Sequence, residues 1–169
     1  MSHDPGSLPG PETQLFKTCF RVRFHEVDAL GHVNNAAYLN YLEQAAIDHA
    51  AFLGLTLDQL RALGGVFVAR RHDIVFLKPS FAGDQLCVLT WLETPRGARI
   101  ERRYVVCRES KMKSPIPVAG HLVKQTEIPD EDAVVARAMT EWVFAGANGQ
   151  PRRIPQQVVK LFQSGSIEG

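Results

Sequence analysis

Cysteine is scarce in this 169-residue chain: Cys19, Cys87 and Cys107 form an odd, widely spaced set without a CxxC pair. That spacing gives no basis for a disulfide framework or a zinc knuckle, and the apolar, strand-like surroundings of all three predict buried, inert thiols. No apolar run approaches the length of a membrane-spanning helix, which argues against membrane insertion. The first residues lack a basic region followed by an apolar segment, so a cytoplasmic location is the default expectation. An excess of charge of one sign is missing too. Lysine plus arginine total 19 against 18 acids, for a formal charge of +1, which excludes the broad basic field of a nucleic-acid binder. The Pro151-Arg152-Arg153 cluster is too short to alter that reading. Neither a P-loop nor a GxGxxG run occurs, which argues against ATP and dinucleotide chemistry. There is no internal repeat or low-complexity segment.

What is present suits a single folded domain: 45% apolar and 22% charged residues. Residues 1–12, rich in proline and glycine, read as a flexible tail; 13–163 read as one domain and 164–169 as a second tail. From Phe16 the chain alternates, with Phe16, Thr18, Phe20, Val22 and Phe24 on one parity and Lys17, Arg21 and Arg23 on the other, which predicts a half-buried strand. The period then changes. Leu39, Leu42, Ala46, His49 and Leu53 recur at three or four residues and predict a helix over 35–53, capped by Asn34 or Asn35 and stopped at Gly54. Strands are predicted at 66–77, 85–92, 98–108 and 134–144, with a Pro95-Arg96-Gly97 turn between the second and third of these. Residues 109–128 read either as a loop or as carrying a short strand at 118–124, and 156–162 as a terminal helix. One strand, one long helix and about four further strands make an α+β arrangement.

The most informative stretch is Glu26-Val27-Asp28-Ala29-Leu30-Gly31-His32-Val33-Asn34-Asn35, followed by Tyr38. It places an acid after a strand and just ahead of the amide-rich start of a helix. In this run, in Leu77-Lys78-Pro79 with Gly83-Asp84-Gln85-Leu86, in Trp142-Val143-Phe144 and in the closing Arg153-Ile154-Pro155, the chain resembles the 4-hydroxybenzoyl-CoA thioesterase-like family of the hotdog superfamily. The resemblance runs from about Phe16 to Pro155. It implies a strongly curved antiparallel sheet wrapped around a long central helix. The family's usual spacing runs almost directly from the fourth strand to the fifth, so 109–128 reads as an insertion.

The resemblance assigns catalysis to Asp28, Asn35, Gly31 and His32. A carboxylate can attack a thioester carbonyl directly or draw a proton from water, and the sequence leaves both open. Asn35 matters for its backbone N–H, which at a helix start lacks an intrahelical acceptor and can stabilise an oxyanion. The residues alone also fit a plain reading in which Asp28 caps the turn before Gly31 and the asparagines are only helix caps. Gly31 permits a tight turn, and His32 would orient water or the thioester. Glu26 is read as structural or as a tuner of Asp28, and His49 as a packing residue. Lys78, Pro79, Arg96 and Arg99 are the candidates for coenzyme A contacts. Phe52, Leu53, Phe67, Trp91 and Tyr104 would line an acyl cavity or fill the core.

These expectations amount to hydrolysis of an acyl-CoA thioester, with coenzyme A as part of substrate and product and no separate cofactor or metal. Acyl-acyl-carrier-protein hydrolysis and a noncatalytic acyl-CoA-binding module are the alternatives. A sheet with an unpaired edge favours closure against a second copy. A homodimer, or a tetramer built from dimers, is therefore expected, with each site shared between Asp28 of one copy and the region 66–74 of the other.

Overall fold

The computed structural model describes residues 9–10, 13–109, 120–124 and 128–164. The chain runs β1 (Leu15–Arg21), α1 (Asn35–Phe52), α2 (Leu57–Ala62), β2 (Val66–Phe76), β3 (Gln85–Leu92), β4 (Arg99–Arg108), β5 (His121–Val123), β6 (Val134–Ala145) and α3 (Gln156–Ser164). All six strands form one antiparallel sheet in the order β2-β6-β4-β3-β1-β5. Most of the predicted tails, 1–8, 11–12 and 165–169, and most of the predicted insertion, 110–119 and 125–127, lie outside the described residues. The part of 118–124 that is described does carry a strand, β5.

The expected strong curvature is not found. This is an α+β hotdog-type fold, but its sheet is open, neither strongly curled nor closed. Closure requires the two outer strands to meet and pair. Here one outer strand, β2, has 11 residues and the other, β5, has 3, with four strands between them. Register shifts that would bend the sheet occur only at Ala69/Arg71 and Val106/Cys107 among the described pairs. Helix α1 lies against one face rather than being enwrapped.

The middle strands β3 and β4 are buried along nearly their whole length because both of their faces are covered. On the helix side, Leu86, Val88, Tyr104, Val106, Ala136 and Ala138 pack with Tyr38, Tyr41, Leu42 and Ala45 of α1. The opposite face holds Cys19, Cys87, Leu89, Trp91, Val105 and Cys107, against which Val123, Ile128 and Ala133 pack. The buried stripe of α1 is Ala37, Tyr38, Tyr41, Leu42, Ala45, Ala46 and His49. Leu39, expected on that stripe, is 37% exposed. At 100° per residue Ala37 and Ala46 bracket the stripe, and Leu39 falls just beyond its Ala46 edge. Phe24, also expected inward, is 86% exposed, because β1 ends at Arg21 and Phe24–Glu26 turns as a 3-10 helix.

The cysteines depart most from expectation. Antiparallel pairing places Cys19 directly opposite Cys87, and Cys87 opposite Cys107. Cys19 and Cys87 form a disulfide across β1 and β3, with their Cα atoms 4.0 Å apart. Cys107 remains a buried free thiol, its pKa pushed up to about 11 mainly by burial. A sequence separation of 68 residues hid the pairing, which strand register alone creates.

Candidate active site

The loop from Val27 to Val33 closes on itself: Val27 and Val33 form an antiparallel bridge, and Asp28 N–H donates to His32 O at 2.8 Å. Gly31 supplies the turn at φ 78°, a left-handed conformation that glycine adopts without strain. Asp28 is exposed. Its Oδ1 accepts from the Leu30 amide at 2.9 Å and the His32 amide at 3.3 Å. Its Oδ2 makes no hydrogen bond among the described residues. One oxygen therefore orients the carboxylate while the other stays available for chemistry.

Three residues beyond the turn the helix begins. Asn34 is the N-cap, its Oδ1 accepting from the Ala36 amide at 2.9 Å. The cap thus satisfies the second helical amide and leaves the first, Asn35 N–H, without a partner among the described residues. A helix start concentrates partial positive charge at such an amide. Asp28 and Asn35 are both exposed, on either side of the Gly31 turn in the chain.

A second loop holds the first in place. Val33 N–H donates to Ser80 O at 2.8 Å, and His32 bridges Phe81 in the backbone and meets its ring edge-on, with centroids 5.4 Å apart. The buried Ser80 hydroxyl accepts from Tyr38 at 3.1 Å, and burial raises the Tyr38 pKa. Arg108 fastens this second loop by donating to Pro79 O at 2.8 Å and pairing with Asp84 at 3.2 Å. Glu26 is held by bonds of its own. It accepts from the Tyr41 hydroxyl at 2.9 Å and the Arg23 amide at 2.7 Å. Sequence reasoning missed Ser80, Phe81 and Arg108 as positioning residues. A serine after a proline and an arginine in a strand carry no pattern that points to a neighbouring loop.

A profile of the thioesterase-like superfamily matches residues 22–162. The chain belongs to that superfamily. It is 30% identical over 80 residues to the chloroplastic acyl-acyl carrier protein thioesterase ATL3 of Arabidopsis thaliana, covering 47% of this chain and 42% of ATL3. The corresponding match to ATL2 of the same plant is 31% over 70 residues, or 41% and 37% of the two chains. The chain thus spans about two fifths of the length of the curated relatives it matches. A hypothetical protein from Aquifex aeolicus shares the fold with a TM-score of 0.68 and 25% identity, over 86% of this chain and 98% of that one. The 1,4-dihydroxy-2-naphthoyl-CoA thioesterase Slr0204 from Synechocystis superposes with a TM-score of 0.70 over 89% and 96% of the two chains. At 17% identity that likeness speaks to the fold alone.

Within this superfamily member the four candidate coenzyme contacts separate into two groups. Lys78 and Pro79 precede Ser80 at the Asp28 end of the sheet, where Lys78 Nζ donates to Asp132 O at 2.6 Å. Arg96 and Arg99 flank the β3–β4 turn at the opposite end, where Arg99 approaches Glu141 at 3.8 Å. Two cavities flank α1. One of about 610 Å³ lies along β1 and includes Phe52, Glu26 and Tyr41. The other, of about 510 Å³, lies towards β2 and includes Phe67, Ile100, Arg102, Trp142 and Phe162. Asp28 lines neither. Trp91, Tyr104 and Leu53 are core residues.

His49 is buried and stacks on Phe16 with centroids 4.9 Å apart. Its Nδ1 accepts from Arg102 Nη1 at 3.0 Å, since a guanidinium only donates. Burial, reinforced by the Arg102 charge, lowers its pKa to about 3, so it is a neutral ring. Among the described residues the ligand-like cluster Cys19, Cys87 and Glu109 has its two sulfurs bonded to each other, which leaves no thiolate for a metal.

Proposed function

We propose that the protein hydrolyses an acyl-CoA thioester to a carboxylic acid and coenzyme A, with Asp28 as the reacting carboxylate and Asn35 N–H as the oxyanion donor. The observation that carries this reading is the pairing of a carboxylate with one unengaged oxygen and a helix-start amide without a partner, in a member of the thioesterase-like superfamily. As general base, Asp28 takes a proton from water, the hydroxide oxygen bonds to the acyl carbon, and the negative charge collects on the carbonyl oxygen near Asn35 N–H. The C–S bond then breaks and the proton passes to the leaving thiolate. As nucleophile, Asp28 attacks the acyl carbon, the C–S bond breaks to release the coenzyme thiolate, and water opens the resulting anhydride to the product acid and the free Asp28 carboxylate. Gly31 holds the turn, and His32 fixes it through its amide and its contact with Phe81.

The site is completed by a second copy. Strand β2 is an 11-residue edge strand with no strand on its outer side among the described residues, and Val68, Val75, Phe76 and Leu77 on or beside it are exposed together with Leu39 and Ile47 of α1. A long edge strand with exposed apolar residues towards both ends, beside an exposed apolar stretch of α1, favours pairing with another chain. Antiparallel pairing of two β2 strands sets the Phe76 end of one copy beside the Val66 end of the other. That geometry supports a homodimer in which Lys78 and Pro79 of one copy, with Arg96 and Arg99 of the other, meet the coenzyme's phosphates. A tetramer of such dimers is compatible with it.

The match to ATL3 and ATL2 favours acyl-carrier protein as the second reading of the thiol carrier. The test is release of free thiol by purified protein from matched acyl-CoA and acyl-carrier-protein substrates. Asp28→Asn and Asp28→Ala should lose nearly all turnover. Wild-type rates in both variants would reject the assignment, and turnover of the carrier-protein substrate alone would replace coenzyme A in it. In a single turnover in ¹⁸O-water, label entering Asp28 identifies the nucleophilic route, with water opening the anhydride at the aspartyl carbon.

A further inference from the structure

The 510 Å³ cavity between the C-terminal half of α1 and the β2 side of the sheet has a wall that apolar packing does not explain. Ala46, Ile47, Ala50, Leu55, Leu60 and Phe67 give it an apolar lining, yet Arg102 also faces it, and that residue is only 3% exposed. A buried cation is costly unless an anion or several acceptors compensate it. Arg102 has poor compensation. Its Nη1 donates to His49 Nδ1 at 3.0 Å and Thr90 Oγ1 at 3.2 Å, both neutral acceptors, and its guanidinium lies 6.0 Å from the Phe162 ring centroid. No carboxylate among the described residues forms an ion pair with it. Glu43 lines the same cavity but is exposed and makes no such pair. Donors are in excess around the guanidinium: with Nδ1 accepting, the neutral His49 ring carries its proton on Nε2, which is buried and without a partner.

We propose that this cavity receives the far end of the acyl group and that Arg102 selects acyl chains ending in a carboxylate. The proposal rests on the thioesterase reading and deepens it by naming the substrate class. The apolar lining suits the methylene stem, and the terminal carboxylate supplies the acceptor and the charge that the guanidinium lacks. The β2 pairing argued above supplies the route, because it brings the cavity at the Val66 end of one chain beside Asp28 of the partner subunit. Arg102 is a specificity determinant in this scheme; bond cleavage remains with Asp28 and Asn35.

The test has one arm with chemistry and one without. Acyl-CoAs of about six to twelve carbons bearing a terminal carboxylate are compared with their unsubstituted counterparts, and a preference of about tenfold or more in kcat/KM is expected at the best length. In Arg102→Met that ratio should fall to about one. Independently of hydrolysis, free α,ω-diacids should raise the thermal midpoint of the wild-type protein more than monoacids of equal length do, and should lose that advantage in Arg102→Met. Ala50→Phe keeps the guanidinium but fills the cavity, and should abolish the diacid effect even if Arg102→Met fails to fold. Hydrolysis of acyl-CoAs without terminal-carboxylate preference, together with equal effects of diacids and monoacids, overturns the proposal and leaves the thioesterase reading standing. Diacid stabilisation that depends on Arg102, with no thioester cleaved, does the reverse.

Discussion

Reducing the Cys19–Cys87 bond should cost the protein a large part of its stability. The bond closes a loop of 68 residues in the unfolded chain. Releasing that constraint returns about 4 kcal/mol of loop entropy to the unfolded state. For a chain of this size that corresponds to about 10 °C in the melting midpoint. Little of the loss should be recovered from the native side, because β1 and β3 remain paired over six residue pairs and both cysteines stay buried in the same apolar layer. The third cysteine should not confuse the measurement. Cys107 sits beside Cys87 in register, but burial holds its thiol protonated at neutral pH, and a protonated thiol does not attack a disulfide. The assay is thermal unfolding of the same preparation with and without a dithiol reductant, with free thiols counted before and after. One free thiol before reduction and three after, with a midpoint drop near the stated size, is the expected result. Three free thiols in protein oxidised under mild conditions, or a drop below about 2 °C after complete reduction, would refute the reasoning.

Asp28→Asn should lower kcat by about two to four orders of magnitude with little change in stability, since the amide oxygen can still accept from Leu30 and His32; Asp28→Ala should lose those turn bonds as well, about 1 kcal/mol by urea unfolding. Gly31→Ala meets no atom within 4 Å but must hold φ 78°, so it should cost about 1 kcal/mol of stability through backbone conformation alone. His49 has its folded pKa depressed to about 3, so the unfolded chain binds the extra proton first as pH falls below about 6.5. Stability is then complete above that pH and should decline by up to about 1.4 kcal/mol per pH unit towards pH 5, a slope that His49→Gln should remove in urea titrations. Val68→Lys on the exposed β2 edge should shift sedimentation at micromolar concentration from dimer to monomer and reduce activity with it. A monomer with full wild-type activity would reject the shared site.

The local elements were legible in the sequence because each depends on short-range physics. Period-two alternation and continuous apolar runs located β1, β2, β3, β4 and β6 to within a few residues, and the change to period 3.6 located α1 together with its stop at Gly54. The Glu26–Asn35 run pointed to the superfamily that the profile match then established. Helix α2 was missed although Thr56 and Gln59 form a capping box, because six residues are too few to show a period. Sheet openness, the exposure of Leu39 and Phe24, and the Cys19–Cys87 bond were not legible. Each is set by which strand lies beside which, in what register, and that choice joins residues far apart in the chain. The buried guanidinium beside the α1 cavity belongs to the same class. Arg102 reads as an ordinary charged residue in a strand until β4 is packed under His49 and Phe162, and only then does its lack of a counter-charge exist. Short-range chemistry was written in the sequence, whereas the partners of each buried polar group were decided by long-range packing.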